Sequence, residues 1–187
     1  IPVGLARVIA ISSGNHHNLA LGSNGEVTGW GSNDFNESTV PVDLMPAVAV
    51  SAGGRHSLAL HEDGTVTGWG LNDDGQANVP AGLTDVVALS GGGAHSLALK
   101  SDGTVVAWGS DSRRQVRVPA NLMGVVAISA GRDFSLALKD DGTVVAWGNS
   151  LGLPFLGGLP EDLSDVRAIS AGRSHAIALL DNGALVL

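Results

Sequence analysis

Four histidines hold one register in this chain: His17, His56 and His95 stand 39 residues apart, and His175 takes the same place in a later copy. Imidazoles in a ring suggest zinc, nickel or copper ligation, since neutral His is a common metal ligand. Against that, Phe134 fills the equivalent place in the fourth copy, and no Asp or Glu recurs beside them. A histidine anchoring a loop by a hydrogen bond explains the register better, so no metal and no cofactor is expected. A serine follows in His56-Ser57 and His95-Ser96, a nucleophile beside a base on paper. Neighbours on a strand point to opposite faces, so the two cannot act on each other within one copy. Gly91-Gly92-Gly93 lacks the Lys-Ser/Thr and the helix of a phosphate loop. No enzymatic chemistry is expected.

Charge offers a second chemistry. Of ten basic residues, Arg55, Arg113, Arg114, Arg132 and Arg173 fall in loops, beside Asp34, Asp73, Asp74, Asp111 and Asp133. Arginine is enriched at binding hot spots, so these loops are candidates for a protein or acidic-ligand contact, with ordinary solvated charge as the plain alternative. The net charge of −8 opposes sequence-independent binding to phosphate backbones, so nucleic acid is not expected. Leu153-Pro154-Phe155-Leu156 is an apolar contact patch or a lid on its own unit, and Asn36-Glu37-Ser38 matches a glycosylation sequon.

The elements that must position these residues repeat. Trp30, Trp69, Trp108 and Trp147 are spaced by 39, as are Gly14, Gly53, Gly92 and Gly131, and Pro2, Pro41, Pro80 and Pro119. A fixed period of this size means stacked or ring-arranged units. The register then slips by two residues, placed within 151–158, before Gly172 and Pro160. The units run about 5–43, 44–82, 83–121, 122–162 and an incomplete 163–187, together a single repeat domain over 1–187. Both ends fall inside a unit, so the sequence reads as a piece of a longer array.

Each unit opens with a short buried strand such as Val86-Val87-Ala88-Leu89-Ser90 and ends it in small residues. A second strand alternates Leu with Ala, as in Ser96-Leu97-Ala98-Leu99, so that Leu faces one neighbouring sheet and Ala the other. Asn24-Gly25, Asp63-Gly64, Asp102-Gly103, Asp141-Gly142 and Asn182-Gly183 then close tight hairpins. The Asp here is turn chemistry, since a calcium loop needs more oxygen ligands. A third strand brings up the Trp, read as packing between units rather than as a stacking platform. After a varied loop, Val40-Pro41, Val79-Pro80 and Val118-Pro119 suggest a short edge strand.

Three or four antiparallel strands per unit, with no helical periodicity, predict an all-β protein: a β-propeller of about five antiparallel blades. With 44% hydrophobic residues and a mean hydropathy of +0.23 the chain can fill a core. The 27 glycines serve its turns, the absence of cysteine excludes disulfides and thiolate sites, and no apolar run is long enough for a membrane span.

The stretch Ala-Gly-x-x-His-Ser-Leu-Ala-Leu-x-x-Asp-Gly-x-Val-x-x-Trp-Gly, clearest at Ala52 to Gly70 and Gly92 to Gly109, resembles the repeat of the regulator of chromosome condensation family. In repeat style it is most similar to the bacterial propeller-type β-lactamase inhibitory proteins. The resemblance implies blades that typically close in a ring of seven, which at this period needs about 273 residues. Either the units close as a smaller, five-blade ring, or an open arc of fewer blades would self-associate or be completed by another chain. The resemblance also implies recognition through loops on one face, where aromatics contact the inhibited enzyme. The matching positions are His16, Arg55, Ala94, Asp133 and Ser174, none of them aromatic.

With the first strand running up, its loop to the second strand shares the top face with the loop after Trp-Gly, and both vary between copies. The expected partner-binding residues are therefore His16, Phe35, Arg55, Asp73, Arg113, Arg114, Arg132, Asp133, Phe155 and Arg173. The expected function is a non-catalytic protein-interaction module. The alternatives are a structural or surface-display segment of a larger secreted protein, and an enzyme inhibitor of the β-lactamase inhibitory type. An extracellular or bacterial cell-surface location fits these readings.

Overall fold

The computed structural model describes residues 2, 5, 7–149, 160 and 163–186. Among the described residues fifteen strands follow one another as five antiparallel three-stranded sheets, the blades, paired in chain order with no crossover. Blade 1 holds β1 (Val8–Ser13), β2 (His17–Gly22) and β3 (Val27–Gly31), and blade 2 holds β4 (Ala47–Ala52), β5 (His56–His61) and β6 (Val66–Gly70). Blade 3 is β7 (Val86–Gly91), β8 (His95–Lys100) and β9 (Val105–Gly109), and blade 4 is β10 (Val125–Ala130), β11 (Phe134–Lys139) and β12 (Val144–Gly148). Blade 5 ends the array with β13 (Val166–Ala171), β14 (Ala176–Leu180) and β15 (Leu185–Val186).

One expected element is absent. The Val-Pro segments form turns rather than a fourth strand, and each sheet stops at three among the described residues. Proline lacks the N–H a ladder needs, and these segments are instead folded by turn bonds such as Leu44 N–H to Pro41 O, Leu83 N–H to Pro80 O and Leu122 N–H to Pro119 O. The patch around Phe155 and the two-residue slip lie outside the described residues.

The core lies between blades. Leu58 and Leu60 of β5 pack against Val86, Ala98 and Trp108 of blade 3, and Leu97 and Leu99 meet Val125, Ala137 and Trp147 of blade 4. The Leu/Ala alternation therefore works as expected: large side chains on one face of a middle strand fill the space left by small ones on the next. Each fully buried Leu is worth about 1.5–3 kcal/mol. The inner strands β1, β4, β7, β10 and β13 touch in that order, and their ends surround a central cavity of about 180 Å³ lined by Ser13, Ala52, Gly91, Ala130 and Ala171.

The two outer blades show what an interface normally covers. Ala47, Val86, Val125 and Val166 open their inner strands with 4–5% exposure, whereas Val8 is 39% and Ile11 76% exposed on blade 1. On blade 5, His175 is exposed where His17, His56 and His95 are at most 1% exposed.

Candidate functional site

Three of the four register histidines, His17, His56 and His95, are spoken for by the scaffold. Each reaches across to the next blade: His17 Nε2 lies 2.9 Å from Ser57 Oγ, His56 Nε2 2.9 Å from Ser96 Oγ and His95 Nε2 3.0 Å from Ser135 Oγ. The serine hydroxyl proton has another destination, donating to Glu37 O, Gln76 O or Gln115 O at 2.8–2.9 Å. A hydroxyl carries one proton, so the imidazole must donate, which fixes the Nε2–H tautomer and leaves Nδ1 a buried acceptor. The same three carbonyls accept the indole N–H of Trp69, Trp108 and Trp147 at 2.8–3.0 Å.

This latch explains why the His-Ser neighbours are not a nucleophile and its base. The pairs that form join different blades, the serines are fully buried, and their protons point at backbone oxygen. Among the described residues no group of three or more His, Cys, Asp or Glu could hold a metal ion. Where Phe134 replaces the histidine, Ala176 replaces the serine opposite, and the two pack together as an apolar pair. The preceding glycine makes room: a Cβ on Gly53 would fall 2.2 Å from His56 Cε1.

Burial pushes His56 down to about 3 and His95 down to about 4 from 6.5, because there is no water to solvate an imidazolium there. His17 is lowered for the same reason, against the attraction of the Glu37 carboxylate. The loop side chains Glu37, Gln76 and Gln115, also spaced by 39, were missed by sequence reasoning although their period was visible. All are buried, and each turns back to accept the N–H of Phe35, Asp74 or Arg113. Desolvation opposes the charge of Glu37, but its own backbone, the Phe35 N–H and the Ser32 hydroxyl hold its pKa below the usual value.

The loops joining first to second strands converge. Asn15, His16, Gly54, Arg55, Gly93, Ala94, Arg132, Asp133 and Arg173 line one cleft of about 450 Å³, with Leu71 from a loop after Trp-Gly. Backbone bonds tie these loops blade to blade, Gly54 N–H to Gly92 O, Gly93 N–H to Gly131 O and Arg132 N–H to Arg173 O. Five of the ten expected residues, His16, Arg55, Arg132, Asp133 and Arg173, thus share the cleft. Phe35 joins them indirectly, its ring centroid 4.9 Å from the Arg55 guanidinium. Asp73, Arg113 and Arg114 are exposed on outer loops and do not line it. Phe155 lies outside the described residues.

The repeat profile described as regulator of chromosome condensation (RCC1) repeat matches residues 8–37, 47–76, 86–115 and 125–151. The chain belongs to the RCC1-repeat family. No curated protein matches this RCC1-repeat chain. Among solved structures, Prp20p from Saccharomyces cerevisiae superposes with a TM-score of 0.79 at 22% identity, over 98% of this chain and 57% of that one. The ectodomain of the Physcomitrella patens receptor kinase CR4 gives 0.80 at 25% identity, over 97% and 53%. The ectodomain of the Arabidopsis thaliana receptor kinase ACR4 gives 0.76 at 20%, over 100% and 67%. This chain therefore spans little more than half the length of the first two. These relatives correct the expected likeness to bacterial β-lactamase inhibitory proteins: the similar propellers are from yeast and plants, and neither the inhibitor reading nor a bacterial source is supported.

If the His-Ser pair is an interblade latch, the chain supplies its own replacement. His95→Phe alone and Ser135→Ala alone should each lower the unfolding free energy by about 1–3 kcal/mol. The double variant, which copies Phe134 and Ala176, should recover at least half of the summed loss in urea titrations. The same latch sets an acid response. The unfolded imidazoles take up protons near 6.5 and the folded ones only near 3–4, so between these values the unfolded chain binds more protons and stability falls as pH falls. The urea midpoint should drop from pH 7 to pH 4, and less steeply in the double variant.

Proposed function

We propose that this chain is a non-catalytic protein-interaction module. The observation that carries the reading is the convergence of all five first-to-second strand loops on one cleft, while the sheets beneath them repeat nearly unchanged. A rigid frame presenting unlike loops is a common arrangement for recognition. The relatives lend support by their own behaviour: the Prp20p structure is described with its binding to Gsp1p and histones, and Prp20 is also known bound to Kap60. His16, Phe35, Arg55, Arg132, Asp133 and Arg173 are the contact residues at the cleft, with Asp73, Arg113 and Arg114 on the outer loops and Phe155 as further contacts. Affinity capture from the source organism should yield a protein partner with the native chain and lose it, by tenfold or more, with the Arg55→Glu/Arg132→Glu/Arg173→Glu variant of equal thermal stability. Undiminished capture by the triple variant would end this reading.

A second reading concerns assembly, and the uncovered flanks favour it. Val8 on blade 1 and His175 on blade 5 occupy positions that the internal interfaces bury, and Ile11 is exposed where its counterparts Val50, Leu89 and Ile128 are half-buried. As a structural or display segment, the chain would be completed by further blades or by another chain, in an extracellular setting like the two receptor ectodomains. The isolated 187-residue chain should then sediment as concentration-dependent oligomers, and Ile11→Glu should shift it toward monomer. A monomer at all concentrations, unchanged by Ile11→Glu, would remove this reading.

A further inference from the structure

The cleft has a sign opposite to that of the molecule. The chain carries −8, yet the cleft is lined by three arginines, from blades 2, 4 and 5, against one carboxylate. The three cations are not equivalent. Arg132 Nε lies 3.7 Å from Asp133, which offsets part of its charge. Arg55 has its guanidinium carbon over the Phe35 ring, 4.9 Å from the centroid, which restrains it, and it makes no ion pair among the described residues. Arg173 likewise makes no side-chain hydrogen bond or ion pair among the described residues, although its backbone oxygen is pinned by the Arg132 N–H at 3.3 Å. Two uncompensated guanidinium forks thus face one cavity from rooted positions.

Resting on the interaction reading above, we propose that this cleft binds an acidic segment of the partner, an extended stretch whose Asp or Glu carboxylates pair with Arg55 and Arg173. A planar guanidinium presents parallel N–H donors that match the two oxygens of a carboxylate. On an extended peptide, side chains two residues apart lie on one side about 7 Å apart, so successive carboxylates can address different blades. A cleft of about 450 Å³ admits a few side chains rather than a folded surface, so the partner must project a strand or tail. Leu71 supplies an apolar wall for the stem of a Glu. Nucleic acid is disfavoured by the charges around the cleft: Asp34, Asp73 and Asp74 are exposed on neighbouring loops, where a long polyanion would be repelled and a short segment would not.

The test uses the full chain and three fluorescent probes: a peptide alternating Asp with Ser, the same peptide with Asn for Asp, and a short oligothymidylate. By anisotropy, the Asp peptide should bind, the Asn peptide should bind at least about tenfold more weakly, and added salt should weaken the complex. Arg55→Gln/Arg173→Gln should lose about tenfold or more, while Arg117→Gln/Arg167→Gln, at exposed arginines outside the cleft, should change binding less than about twofold. Arg→Gln removes the charge but keeps a polar end group at exposed sites, and an unchanged urea midpoint shows that the variants fold. Absence of Asp-peptide binding, equal binding of the Asn peptide, indifference to Arg55→Gln/Arg173→Gln, or tighter binding of oligothymidylate would each overturn the proposal. If the acidic peptide fails while Arg→Glu changes still abolish partner capture, the interaction reading stands and the carboxylate assignment alone falls.

Discussion

At each of the three interfaces from blade 1 to blade 4, one backbone carbonyl, that of Glu37, Gln76 or Gln115, ties the blades together. It belongs to a loop of one blade and accepts two donors from the next, an indole N–H and a serine hydroxyl, and the serine in turn receives the imidazole of the first blade. Four groups that would each be costly to bury alone are satisfied by one another. The apolar contacts of Leu, Ala and Trp supply the bulk of the attraction, but they are non-directional. The shared carbonyl fixes how one blade sits on the next, and it keeps the loop that carries it, whose outer residues vary, tied to the frame.

From that constraint the geometry of the cleft follows. The loops after the first three Trp-Gly pairs are pinned from inside by Glu37, Gln76 or Gln115 turning back onto its own backbone, while the loops between first and second strands are strung together by N–H to O bonds from blade to blade. Gly54 and Gly93 have no room for a side chain, since a Cβ at either would fall 2.3–2.5 Å from a carbonyl oxygen of the adjoining loop. At the same position in blades 4 and 5 stand Arg132 and Arg173. Side-chain variety is therefore confined to a few positions, and those positions face a common space.

Much of this was legible in the sequence because it is local. The Asp-Gly and Asn-Gly hairpins, the Leu/Ala alternation of the middle strands and the Trp at one register all reflect contacts within a unit or a face that strand periodicity sets. The latch was not, because its partners lie 40 residues apart in different repeats, and a strand pattern says which way His56 points but not what waits there. One signal did exist: Phe134 and Ala176 depart from His and Ser together, and such a paired departure marks a contact. The Val-Pro segments misled because proline is compatible with an edge strand and with a turn alike, and the turn bonds decide between them. That Arg55, Arg132 and Arg173 share a face was legible from strand direction and the repeat register, whereas the register did not tell which loops line the cleft, and Arg113 and Arg114 stay outside it.

Every latch points the same way along the chain, each histidine waiting for a serine in the repeat after its own. During synthesis at ~5–20 residues per second, a newly emerged imidazole therefore stays unpaired for roughly 2–8 seconds before its acceptor exists. The ribosome's direction and the scaffold's direction agree, so the growing edge of the propeller is always the end on which a fresh blade can settle, and the finished end is never reopened to admit it.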